Sequence, residues 1–159
     1  MPRRTLAIDW GDRRIGLAVS DALGLLASPA GVVTRRAGKR PPIAELLRQA
    51  DALEVDAIVF GLPIDPAGNE TDRSGEVREV AARLAGRTTR PVRLVDERFT
   101  TAAALRAVRE QGGSTRGRKG DVDALAAAIL LEQVLQAERG GVELGEAVTP
   151  FVAPERDAE

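Results

Sequence analysis

The sequence predicts an α/β fold: a five-stranded mixed sheet, three antiparallel strands then two parallel ones, with helices on both faces. Short apolar runs of strand length alternate with longer segments of helical period. The first three runs are joined by short turns, whereas the last two are each reached through a helical segment. The run DAIVFGLP (56–63) is continuously apolar, as a strand buried on both faces should be.

Taken in order, residues 5–9 and 15–20 are strands joined by the turn-prone WGDRR, and AGVVTR (30–35) is a third. The connection RAGKRPP is basic and carries Gly and Pro, so it is not helical. Residues 42–54 place Ile43, Leu46, Leu47, Ala50 and Leu53 at a 3.6 period behind a Pro start. After the strand at 56–63 and the polar loop IDPAGNET, residues 71–86 form a second helix with Val77, Val80, Ala81 and Leu84 inward. PVRLVDER (91–98) is the fifth strand. TTAAALRAVREQGG is a third helix ended by Gly112, and residues 121–138 a long, deeply packed fourth.

The chain has 159 residues, 43% of them hydrophobic and 30% charged, which is ordinary globular usage. That is one domain, residues 1–139, followed by an acidic tail, 140–159, expected to be loosely ordered. No apolar run is long enough to span a membrane and no secretory leader is seen, so a cytoplasmic protein is expected. Cysteine and histidine are both absent. Thiolate and imidazole nucleophiles, Ser-His-Asp triads and His or Cys metal sites are therefore excluded. Catalysis has to use carboxylates, hydroxyls, Lys/Arg, or a metal held by oxygen.

Net charge is −1, yet it is unevenly spread: residues 1–40 carry eight Lys/Arg against Asp9, Asp12 and Asp21. GGSTRGRKG (112–120) adds Arg116, Arg118 and Lys119 without an acid, while 138–159 hold six acids against Arg139 and Arg156. Cationic stretches of this kind suit an anionic partner, nucleic acid above all.

Three acidic segments stand where an open α/β sheet places its ligands, beyond the carboxyl ends of the strands. Asp9 closes the first strand, Asp96 and Glu97 close the last, and Asp121 and Asp123 open the long helix. Asp121 and Asp123 lie about 200° apart around the axis. Asp123 shares its side with Ala126, Ala127 and Leu130, small enough for close approach to the sheet; Asp121 complements the helix dipole. Asp96 and Glu97 point to opposite sides, and spacing does not choose between them. Carboxylates gathered this way repel unless cations lie between them, and a site made only of carboxylates suits Mg²⁺ or Mn²⁺. Two such ions roughly 3.5–4 Å apart can activate water and stabilise the leaving oxygen of a phosphodiester.

Four stretches carry a resemblance. IDWGDRRIGLAVSD resembles the D-x-G-x-x-R-I-G opening of the YqgF/RuvX nucleases, relatives of Holliday-junction resolvases with an RNase H-like fold. VFGLP with DPAGNE resembles their middle strand and loop, VDERFTT their D-E-R-[LF]-[ST]-[ST] signature, and KGDVDALAAAILLE their last helix. The resemblance covers residues 5 to 137. It implies the RNase H-like fold, catalytic and metal-binding roles for Asp9, Glu97 and Asp123, and Glu97 in place of Asp96. It also implies a nucleic-acid substrate: the 5′ end of the small-subunit (16S) rRNA precursor, or branched DNA in the form of a Holliday junction.

Among the remaining residues, Arg14 can hold an acid or reach the scissile phosphate, and Arg98 can pair with Glu97 or contact nucleic acid. Arg116, Arg118 and Lys119 are the expected backbone contacts, which position a strand without reading its sequence. Gly11 and Gly16 flank the first turn, where glycine permits positive φ or close approach to a phosphate. Trp10 should point away from Asp9 into a core or interface. A resolvase is expected to be a homodimer, to cut two strands; an rRNA processor can be a monomer. Two rivals compete with the metal-dependent nuclease: an inactive nucleic-acid-binding module, and an actin-like ATPase, which closes two such domains around a nucleotide.

Overall fold

The computed structural model describes residues 3–36, 38–97 and 119–151, the side chains of residues 119–121 excepted. The elements are β1 (Thr5–Trp10), β2 (Arg14–Ser20), β3 (Ala27–Thr34), α1 (Ile43–Ala52), β4 (Ala57–Leu62), α2 (Asp72–Ala85), β5 (Val92–Asp96), α3 (Lys119–Arg139) and β6 (Glu146–Ala147). The helix expected over 100–113 lies outside the described residues. The sheet order is β3-β2-β1-β4-β5-β6. β1 pairs antiparallel with β2 and β2 with β3, whereas β4 is parallel to β1 and to β5, as the connection lengths predict.

The strand count is corrected from five to six. The short β6 pairs antiparallel with β5, Leu94 opposite Glu146, in what was expected to be a loosely ordered tail. Residues 140–151 are tied to the body instead: Val148 donates to the Val92 carbonyl, Phe151 to the Ala82 carbonyl, and Arg78 pairs with Glu146. Two residues are too few to show alternation in a sequence. β3 also starts earlier than expected and includes Pro29, which an edge strand tolerates because no neighbour needs its missing N–H.

Alternation along β1 divides the core. Leu6, Ile8 and Trp10 join Phe60, Leu94 and the apolar sides of α1 and α2. Ala7, on the opposite face, joins Ala18, Val59, Val95 and the buried side of α3, including Ala127, Leu130 and Leu131. Helices thus cover both faces. α3 is not buried around its full circumference, for Leu125 is 45% exposed on its outer side.

Trp10 is buried against α2, where its Nε1 donates to Glu76 at 2.7 Å and the Arg35 guanidinium lies 4.4 Å from the ring centroid. Partial burial pushes the Glu76 carboxyl up, but hydrogen bonds from Trp10 and Arg35 outweigh it and hold the group below the ordinary glutamate value. α2 begins with a reciprocal cap between Thr71 and Ser74. Thr71→Ala is expected to cost about 1 kcal/mol and to lower the melting temperature by about 2–4 °C, read by calorimetry.

Candidate active site

The three acids singled out in the sequence stand on one face of the sheet. Asp9 follows Ala7 by two on β1 and so points toward α3, while Trp10 points to the other core. Glu97 follows Val95 by two, and its N–H donates to the Leu62 carbonyl at 3.3 Å, carrying the β4–β5 ladder one step past the strand. Asp123 lies one turn before Ala127 and two before Leu130, on the side of α3 that packs against the sheet. Their exposures are 2%, 3% and 0%. Asp96, by contrast, is exposed. Charged groups are rarely this buried without a role for their charge.

Two glycines make the arrangement possible. Gly16 is the partner of Asp9 across the β1–β2 ladder. A β-carbon there would overlap the Asp123 carbonyl and reach 3.0 Å from the Ala124 nitrogen. Gly61 stands one step beyond the Ile8–Phe60 pair, on the other side of Asp9. A β-carbon there would come 2.5 Å from Glu97 Oε2 and 3.1 Å from Leu130 Cδ2. The backbone of α3 on one flank of Asp9, and the side chains of Glu97 and Leu130 on the other, therefore lie directly over strand backbone. The sequence reading gave Gly16 to a phosphate or a positive φ; neither Gly16 nor Gly11 has positive φ, and the demand at Gly16 is close approach of a helix. Gly61 was not singled out, although a glycine inside a central strand is itself a sign of close approach.

Arg14, at the start of β2, donates from Nε to Asp123 Oδ2 at 3.1 Å, the acid-holding role of its two expected ones. Arg98, Arg116 and Arg118 lie outside the described residues. Lys119 opens α3, two residues ahead of the expected helix start.

An oxygen-only, anionic donor set fits a hard divalent cation in charge and chemistry. The three carboxylates share a face, yet among the described residues no three acidic groups are gathered into a ligand set. Asp123 is instead turned to Arg14. Asp9 beside Gly61, Glu97, whose Oε2 lies over Gly61, and Asp123, whose backbone lies over Gly16, are the groups that would hold such an ion.

The chain is similar to known proteins along most of its length. A family model described as "RuvX: Holliday junction resolvase" matches residues 3–137. A protein of Clavibacter michiganensis named "Putative pre-16S rRNA nuclease" is 38% identical over 155 residues, 96% of each chain. One of the same name from a Nocardioides species is 42% identical over 147 residues, 90% of this chain and 94% of its own. Among solved structures, T. thermophilus RuvC in complex with a Holliday junction substrate superposes with a TM-score of 0.54 at 18% identity, covering 91% of this chain and 98% of that one. At that identity the likeness is one of fold, and it is the RNase H-like fold that the resemblance implied.

Proposed function

This chain belongs to the RuvX family of Holliday junction resolvases and is a nuclease, and we propose that it cuts structured nucleic acid with Asp9, Glu97 and Asp123 as the catalytic, metal-holding acids. The carrying observation is that these three, from β1, the end of β5 and α3, are all buried on one sheet face around two glycines. Two divalent ions, Mg²⁺ or Mn²⁺, would supply an activated water and stabilise the leaving oxygen. The chain's own part is to bring oxygen donors together, to hold Asp123 through Arg14, and to keep side chains off the backbone at Gly16 and Gly61. Arg98, Arg116, Arg118 and Lys119 would contact the nucleic-acid backbone.

The favoured substrate is the 16S rRNA precursor, because relatives matching nearly the whole chain carry that name. The family description favours a four-way DNA junction as the second reading, which requires a homodimer. A cytoplasmic location follows from either.

The deciding experiment presents the full chain with an rRNA precursor fragment and a four-way DNA junction at equal salt. Salt must match, since phosphate binding weakens steeply with it. Cleavage of the rRNA fragment that chelator abolishes and Mn²⁺ restores is the expected result. Binding of both without cleavage under either metal means an inactive binding module. Efficient cutting of the junction alone, by a dimer, replaces the first reading with the second.

A further inference from the structure

The end of the sheet that holds the acids carries a second set of charges, of opposite sign. β2 enters at this end and β3 leaves at it, Arg14 opposite Thr34. The β1–β2 turn and the β3–α1 connection therefore stand together on the rim beside Asp9, joined by the Arg35 N–H donating to the Arg13 carbonyl at 2.8 Å. Six basic residues lie here: Arg13, Arg14, Arg35, Arg36, Lys39 and Arg40.

Two of them work inside the fold, Arg14 on Asp123 and Arg35 on Trp10 and Glu76. Arg13, Arg36, Lys39 and Arg40 are exposed, and among the described residues their side chains form no hydrogen bond or ion pair. Nearby acids are already engaged: Asp12 with Arg73, Glu76 with Arg35, Glu79 with Arg83. The β3–α1 connection also walls a cavity of about 460 Å³, where those engaged acids leave Lys39 and Arg40 as surplus charge. A turn closed by the Lys39 N–H on the Arg36 carbonyl, with Gly38 at φ +75°, holds the cations in a cluster that their mutual repulsion opposes. A solvated connection has no use for such a concentration. A polyanion leaving the acid site across the sheet end does.

Resting on the nuclease reading above, we propose that Arg13, Arg36, Lys39 and Arg40 form a backbone track for the nucleic-acid strand flanking the scissile bond. The track holds phosphates without reading bases, so it confers dependence on flank length and not on sequence. It lies outside the 98–120 region, from which the other basic contacts come.

The test uses the full-length chain and labelled RNA hairpins with no flank, a short single-stranded flank or a longer one, read by fluorescence anisotropy. The variant is Arg36→Ala, Lys39→Ala and Arg40→Ala combined, all at exposed positions where the fold is indifferent. Wild type is expected to bind tighter as the flank grows, and the variant to lose that gain. Three lost contacts to a single strand reduce the log–log salt slope by about 2, so between about 50 and 200 mM salt wild-type affinity falls on the order of 20-fold further than the variant's. Arg87→Ala, an exposed cation at the other end of α2, should leave both readouts unchanged. An unaltered slope and flank dependence in the triple variant overturns the track, as does an equal loss per charge from Arg87→Ala. Binding is read without turnover, so the two readings fail separately. Flank binding lost in the variant of a chain that cleaves nothing keeps the track and removes the nuclease; cleavage with unaltered flank binding does the reverse.

Discussion

Asp9→Asn is expected to abolish hydrolysis while leaving the fold and nucleic-acid affinity in place. Asparagine keeps the size of the side chain and one carbonyl oxygen at a position that is 2% exposed. It removes the negative charge, which is what a hard divalent cation selects. Metal assistance supplies several kcal/mol of transition-state stabilisation, so the loss in kcat/KM should be at least about 10³-fold. Glu97→Gln and Asp123→Asn should fall in the same direction. Asp123→Asn should also weaken the Arg14 interaction, a charge-assisted hydrogen bond worth about 1.5–3 kcal/mol, so its melting temperature drops as well.

Asp96→Asn is the internal control. It removes the same charge one residue from Glu97, at an exposed position on the opposite side of the strand. Its cleavage rate should stay within about tenfold of wild type, too small a change, at 1.36 kcal/mol per decade, for the loss of a metal-bearing acid. Single-turnover rates, anisotropy and thermal melts on the four variants separate chemistry from binding and folding. Asp9→Asn cleaving at close to the wild-type rate would remove the carboxylates from the mechanism.

What a sequence can show of such a site depends on how local its cause is. Strand and helix periods are local, and so the order of β1 to β5 and the facing of Trp10 and Ala7 to opposite cores could be read directly. The inward facing of Asp123 was legible for the same reason, because it rests on angles within one helix. Which of Asp96 and Glu97 is buried was not legible from spacing, and only the resemblance pointed to Glu97: two neighbours on a strand differ only in which face is covered, and the cover is α3, more than twenty residues away. β6 was hidden because its two residues are fixed by the partner strand β5 and by Gly145, whose φ of +87° sets it against the Leu94 carbonyl, where a β-carbon would not fit. The charge asymmetry of the chain was visible, but its resolution was not: the tail's Glu143 and Glu146 pair with Arg3 and Arg78, leaving the sheet-end cations unneutralised.

The glycines give the second large effect. Gly16→Ala sets a methyl group against backbone, the Asp123 carbonyl and the Ala124 nitrogen, and backbone cannot turn aside as a side chain can. α3 must retreat, taking Leu130, Leu131, Val134 and Leu135 from their packing. Overpacking of this kind costs about 3 kcal/mol or more, a fall of about 6 °C or more in melting temperature at this chain length. Asp123 moves with its backbone, and a displacement of about 1 Å is enough for a 10²-fold loss in rate. Gly61→Ala separates the two consequences, because the atom it meets at 2.5 Å is Glu97 Oε2, the end of a side chain that can rotate. It should lose activity by about 10²-fold for a stability cost nearer 1 kcal/mol. Gly75→Ala, on α2 with open space around it, should instead stabilise by about 0.5–1 kcal/mol through helix propensity alone. Stability and rate together thus rank the three alanines by what lies above each glycine. Wild-type melting and cleavage in Gly16→Ala would mean that α3 does not rest on β2, and that Asp9 and Asp123 do not share a site.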